Sequence, residues 1–382
     1  MAEIRSRSLL RGLREIETPQ QVETASGGRP LINFSSNDYL GLAADPLLRE
    51  AAKACIDQWG VGAGASRLIC GSLGPHAQLE RDLAAFKGTE GALAFSSGYA
   101  TAVGALGALA GPEDVIILDK LAHASLIDGA RLSRATLRVF PHNHMGKLES
   151  HLRWAREAAP DGRIIVVTES VFSMDGDRAP VDEIVEIKDQ YGAMLLLDEA
   201  HAMGVVGENG RGLADQLGVA AKVDLQMGTL GKALGSAGGY VCARRAVIDL
   251  LINRARSFIY STAPLPAAAA AASAALGFLE TPAGRERRER LWQRIGDFMR
   301  EAPESLRPAG PAQSAIIPLI IGEEEKSLAA SQWLREKGFL IPAIRYPTVS
   351  RGAARLRVTL SAGHTEEQVR GLCAALGKVA EN

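Results

Sequence analysis

The stretch MLLLDEAHAMG, Met194–Gly204, decides how the chain is read: four apolar residues stop at Asp198, and His201 follows three positions later. A short apolar run closed by an acid is the pattern of a strand buried on both faces whose last residue emerges at the end of a sheet. Working outward, Ala92–Phe95, Val115–Leu118, Ile164–Thr168 and Gly239–Ala243 are further β-rich runs that end at polar or glycine positions and lead into helical patterns. Strands alternating with helices predict an α/β fold with a mostly parallel central sheet and helices on both faces. Ligands of such sheets gather where the strands end. Ser97-Gly98, Glu169, Asp198, His201, Thr229 and Lys232 all fall there.

The alanine-rich run Leu265–Leu279 precedes a break at Thr281-Pro282. Beyond it, residues 315–321, 340–345 and 355–360 read as strands, and 327–337 and 365–379 as helices. The expected organisation is an N-terminal arm over 1–45, a large domain over 46–281, and a smaller α+β C-terminal domain over 282–382 against which the arm packs.

Composition bounds the partners. A formal net charge of -1, with no long run of one sign, gives no electrostatic footprint for nucleic acid or an anionic membrane. The dense stretch RERRER, Arg285–Arg290, is mixed in sign and reads as a solvated helix face. Cys55, Cys70, Cys242 and Cys373 form no C-x-x-C pair, which argues against a zinc site or a disulfide framework and suits a reducing cytoplasm. The opening MAEIRSRSLLRGLREIE lacks the apolar core of a signal peptide. The small-residue stretches 100–110 and 265–279 are too short for membrane spans and are expected as buried helices.

Lys232 lies in GTLGKALGSAGG, Gly228–Gly239, where small neighbours let the backbone approach something bulky. An amine crowded away from water is a good nucleophile; the competing reading is a surface lysine in a glycine loop. A nucleotide-binding P-loop needs glycine at 226 and a hydroxyl after the lysine, and Gln226 and Ala233 stand there, so that reading fails. The D-E-A-H string also occurs in helicases, but no P-loop accompanies it. A carboxylate at the end of a buried strand, as at Asp198, requires a cationic or hydrogen-bonding partner. The pyridinium nitrogen of pyridoxal phosphate is such a partner, and its protonation makes the ring an electron sink. Ser97-Gly98-Tyr99 follows the run GALAF and opens a Gly/Ala helix, whose free N–H groups and dipole favour a phosphate. His123 in LAHASL is either a satisfied core histidine or a flat partner for a cofactor ring. The glycine-rich VGAGASRLICGS, Val61–Ser72, lacks the preceding strand of a dinucleotide fingerprint and reads as a loop lining the site near a subunit interface.

Taken in order, NFSSNDYLGL, GSLGPHAQLE, FSSGYAT, LAHASLIDGA, TESVFSMDGD, DEAHAMGVVGENGRG, GTLGKALG, IYSTAP, IRYPTV and ARLRVTLSAGH make the chain, from about Asn33 to His364, resemble the α-oxoamine synthase family of fold-type I pyridoxal-phosphate enzymes. The resemblance implies a fold-type I transferase with pyridoxal 5'-phosphate as cofactor, decarboxylative condensation of an amino acid with an acyl thioester, and a homodimer with shared active sites. Carried over by position, Lys232 matches the lysine that bears the cofactor, Asp198 the partner of the pyridinium nitrogen, and His123 the histidine stacked on the ring. His201 and Ser173 match groups on the phenolic oxygen side, while Ser97, Gly98, Tyr99 and Thr229 match the phosphate site. Thr262, after Tyr260, matches a residue that reaches the partner's phosphate. Asn37 and Arg357 match the grip on the amino-acid carboxylate, Arg357 as a bidentate clamp. Arg11, with Arg14 as the substitute, resembles an arginine that meets the acyl substrate.

Arg345 agrees with the members that join alanine to a pimeloyl thioester in biotin synthesis, whereas Tyr346 and Ser350 stand where those members commonly carry proline. Sister members taking glycine or serine share nearly all of these residues and remain the alternative. From a different class, a non-catalytic partner subunit or a pyridoxal-binding regulator is the other alternative. The presence of Lys232 and the lack of a visible DNA-binding extension argue against it.

Overall fold

The structure is a computed structural model that describes residues 12–380. The strands in chain order are β1 (Glu23–Ser26), β2 (Arg29–Asn33), β3 (Gly91–Phe95), β4 (Val115–Asp119), β5 (Thr136–Phe140), β6 (Ile164–Glu169), β7 (Met194–Asp198), β8 (Leu225–Thr229), β9 (Gly239–Ala243), β10 (Ile316–Gly322), β11 (Phe339–Leu340), β12 (Ala343–Ile344) and β13 (Ala354–Thr359). Seven of them form one sheet in the order β3-β9-β8-β7-β6-β4-β5. Its pairs are parallel from β5 through β8, and β9 is antiparallel to both β8 and β3.

Every residue of β3, β4, β6 and β9 is buried, as expected for strands covered on both faces. The helix Gly98–Leu109 owes its close packing to small residues, with Ala102 and Ala105 fully buried in a core shared with Ile116, Ile165 and Leu196. The helix Pro266–Leu279 is likewise buried along one face. Two strands of this sheet lie outside the apolar runs. β5 is an edge strand with Val139 48% exposed, so it needs no continuous apolar pattern. In β8 the run is interrupted by Gln226, which is buried and donates to Ala220 O at 3.2 Å.

The described residues form two compact units. One consists of Asp45–Ser173 and Asp177–Arg288 and holds the seven-stranded sheet; the other consists of the described chain up to Ala44, Met174–Gly176, and the chain from Glu289. The second unit has two small sheets, β10-β13-β12 and β1-β2-β11. The arm strand β2 takes β11 as a parallel neighbour, pairing Ile32 with Phe339. Residues 340–345 therefore do not make one strand: they split between two sheets, and Pro342, which has no N–H to donate, stands at the break. The helix Pro282–Glu301 carries the RERRER stretch, and here one expectation is corrected. Arg288 is only 4% exposed and donates to Glu208 O, because a backbone carbonyl reaches that face of the helix. Among the described residues no helix is long and apolar enough to cross a membrane.

Candidate active site

The parallel strands deliver their last residues to one place. β6 ends at Glu169 and β7 at Asp198, and these two pair in register. Asp198 also pairs with Met227 of β8, which ends at Thr229. After Thr229 the chain forms a tight loop closed by Leu230 N donating to Gly238 O at 3.0 Å and Ser236 N to Leu230 O at 2.9 Å, with Lys232 between. A cavity of about 190 Å³ opens there. Of the expected residues, Gly98, Tyr99, His123, Asp198, His201, Thr229 and Lys232 line it.

Lys232 Nζ lies 2.8 Å from His201 Nε2. Asp198 is 6% exposed and accepts from Ala200 N at 2.9 Å. Burial raises its carboxyl above the usual range, while the Lys232 charge works in the opposite direction. His123 caps the helix Ala124–Ser133: its Nδ1 accepts from Ser125 N at 3.2 Å and lies 2.7 Å from Ser125 Oγ. An Nδ1 that accepts a backbone N–H carries no proton, so the neutral ring is protonated at Nε2. Burial lowers the imidazole's pKa, opposed by the Asp198 charge and aided by that of Lys232, and so favours the neutral form.

The phosphate-type corner has a structural basis. Ser97 Oγ accepts from Ala100 N at 3.0 Å and so caps the helix Gly98–Leu109 from behind. The N–H groups of Gly98 and Tyr99, which precede Ala100 in the first turn, have no intrahelical partner. A Cβ on Gly239 would lie 2.7 Å from both Gly98 N and Gly98 Cα, so only glycine lets β9 run beside this turn. Tyr99 is half exposed and donates its hydroxyl to Asp128 Oδ2 at 2.8 Å.

Other expected residues lie elsewhere. Ser97, Ser173 and Thr262 are not part of the cavity lining. Ser173 is half-buried in the turn after β6, and Thr262 is exposed, with its backbone bridged to Ser66. Asn37 and Arg357 meet in the second unit, where Arg357 donates to Asn37 Oδ1 at 3.1 Å and to Thr359 Oγ1 at 2.9 Å. Arg11 lies outside the described residues, and Arg14 is exposed.

Two features have no role in any motif, although the sequence sets Glu169 at a strand end. Glu169 lines the cavity, although its position at the end of the apolar run IIVV is the same signal that marks Asp198. Lys87 and Glu199 form an ion pair with side chains 1% and 0% exposed. Glu199 also accepts from Ala214 N at 3.1 Å, which anchors the residue next to Asp198. No spacing rule links residues 87 and 199. Among the described residues no cluster of three or more His, Cys, Asp or Glu side chains is arranged to hold a metal ion.

Comparison with known proteins identifies the family. The family described as aminotransferase class I and II matches residues 29–376. The 8-amino-7-oxononanoate synthase of Geobacter sulfurreducens is 46% identical over 99% of this chain and 96% of its own length. Its namesake from Anaeromyxobacter dehalogenans is 48% identical over 98% and 92%. A solved structure described as SPT with PLP internal aldimine superposes with a TM-score of 0.94 at 29% identity, covering 100% of this chain and 96% of that one. By fold, site and relatives, the chain belongs to the aminotransferase class I and II family and, within it, to the α-oxoamine synthases, acyl-transferring fold-type I enzymes that depend on pyridoxal phosphate.

Proposed function

We propose that the chain condenses L-alanine with a pimeloyl thioester, giving 8-amino-7-oxononanoate, carbon dioxide and the free thiol, as a step of biotin synthesis. The observation that carries the chemistry is the grouping of Lys232, 2.8 Å from His201, with buried Asp198 and neutral His123 around one cavity at a helix N-terminus. The relatives named above support the substrates.

The donor set fits pyridoxal phosphate: an amine to bear it, a buried carboxylate for its ring nitrogen, an imidazole for its face, and N–H groups for its phosphate. Bound there, the cofactor supplies an electron sink for the pair left at the amino acid's α-carbon. Asp198 provides the anion that keeps such a sink protonated. Lys232 would bear the cofactor and, with its amine free, would be the general base that takes the α-proton, its Nζ held in position by His201. The N–H groups of Gly98 and Tyr99, with Thr229, would hold the phosphate. Arg357, already oriented by Asn37 and Thr359, clamps the amino-acid carboxylate.

The working form is a homodimer in a reducing cytoplasm, where its free cysteines stay thiols. Support for a second copy comes from Leu68 (50% exposed), Ile69 (78%), Tyr260 (71%) and Leu265 (54%), apolar side chains left at the surface on two neighbouring segments that flank Thr262.

Replacing Lys232 with Ala tests the chemistry: turnover and the borohydride-reducible link to the cofactor are both expected to vanish, and an active, still reducible variant overturns the assignment. Alanine, glycine and serine assayed against acetyl, succinyl, pimeloyl and palmitoyl thioesters, scored by thiol and carbon dioxide release, test the substrates. Preference for any pair other than alanine with pimeloyl refutes that part of the reading.

A further inference from the structure

Glu169 is the one cavity-lining acid to which the mechanism above gives no task. It is 2% exposed, and its Cα pairs with that of Asp198 across β6 and β7. The backbone N–H of His123 lies beside its carboxyl and works to lower its pKa. Oε1, fully buried, has no hydrogen-bond partner among the described residues. A buried polar atom without a partner is costly and calls for a ligand or a function.

The charges around it indicate its protonation state. Burial, then the neighbouring Asp198, push the Glu169 carboxyl well above the usual range, with Asp119 acting in the same sense and Lys232 against it. Two carboxyls at the ends of adjacent strands do not both ionise readily, and a ring cation beside Asp198 makes Asp198 the one that does. A neutral carboxyl accepts through one oxygen, here towards the His123 backbone, and donates its O–H through the other. In the cofactor the ring nitrogen is assigned to Asp198 and the phosphate to the helix N-terminus; the phenolic oxygen, on whose side His201 and Ser173 are expected, accepts more than one hydrogen bond and is the strong acceptor with room for a further donor.

Resting on the proposed pyridoxal-phosphate site, we infer that Glu169 is a cofactor-positioning residue: one carboxyl oxygen fixes the backbone of His123, and the other donates a hydrogen bond to the cofactor's phenolic oxygen. The inference requires a neutral donor at this position, and that distinguishes it from a generic buried acid.

Glu169→Gln keeps an acceptor for His123 N and a permanent neutral donor; Glu169→Met fills the same space and keeps neither. The dissociation constant of pyridoxal phosphate from each protein, and the pH midpoint of the visible band of the lysine-linked cofactor, are the readouts. The thermal midpoints of the cofactor-free proteins report on folding. Glu169→Gln is expected to bind within about threefold of the unaltered protein, with an unshifted band. Glu169→Met is expected to bind at least about tenfold more weakly, with a displaced midpoint.

Binding by Glu169→Met equal to that of the unaltered protein overturns the inference. So does a Glu169→Gln protein that binds as poorly as Glu169→Met, since an ionised carboxylate would then be what matters. If Glu169→Met does not fold, the Glu169→Gln result decides alone. Absence of a reducible cofactor on Lys232 in the unaltered protein marks failure of the underlying site assignment instead.

Discussion

His142 shows how much one residue controls outside the cavity. Its Nδ1 lies 3.0 Å from Asp119 Oδ1 and its Nε2 2.8 Å from Asp177 Oδ2, with the ring edge-on to Phe172. Asp177 closes the turn that carries Ser173, where Phe172 N donates to Asp177 O at 3.0 Å. Burial opposes the imidazolium, but the hydrogen bonds to the two carboxylates outweigh it and carry the pKa up to about 10. A group raised above its unfolded value of about 6.5 stabilises fully below that pH, and the contribution is lost as the pH rises towards the folded value. His142→Gln is therefore expected to lower the urea midpoint most at pH 6, by a loss on the order of a few kcal/mol. The deficit should shrink as the pH approaches 10; a deficit that stays constant with pH would mean that only packing was lost.

At the scale of elements, the contact between β9 and the N-terminus of the helix Gly98–Leu109 shapes the turn proposed to take the phosphate. Gly239→Ala would set its Cβ 2.4 Å from Thr101 Oγ1 as well as against the Gly98 backbone. The backbone of the turn has to move, at a cost of about 1–3 kcal/mol. The expected result is a lower thermal midpoint together with clearly weaker binding of pyridoxal phosphate and of inorganic phosphate. Unchanged phosphate binding in a destabilised Gly239→Ala protein would show that this turn is not the phosphate site. The Lys87–Glu199 pair acts at the same scale, tying the helix Gly74–Lys87 to the residue after β7.

At the scale of the whole molecule, the question is assembly. The segment Phe258–Pro264 is held on one side by the Arg67 guanidinium of the π-helical turn Arg67–Gly71, 5.5 Å over the Phe258 ring, and on the other by His76 Nε2 of the helix Gly74–Lys87, 2.8 Å from Pro264 O. This rigid support leaves Ile69 exposed on its surface. Ile69→Glu is expected to shift sedimentation from a dimer to a monomer, with loss of activity and little change in the far-ultraviolet circular dichroism. An unaltered protein that sediments as a monomer would refute the homodimer.

The sequence alone carried five strands of the sheet and singled out Lys232 and Asp198, because apolar runs that stop at a polar residue and a lysine among glycines are local patterns. It did not show β5 or β8, whose exposed edge and interrupting Gln226 hide the period, nor the division of residues 340–345 between two sheets. Only the tertiary structure brought Lys232 to His201, paired Glu169 with Asp198, and buried Lys87 against Glu199 and Arg288 against a backbone carbonyl. The physical reason is that local periodicity reports which face of an element is dry. Which charge meets which inside that dry space depends on strand register and on loop closure between residues far apart in the chain.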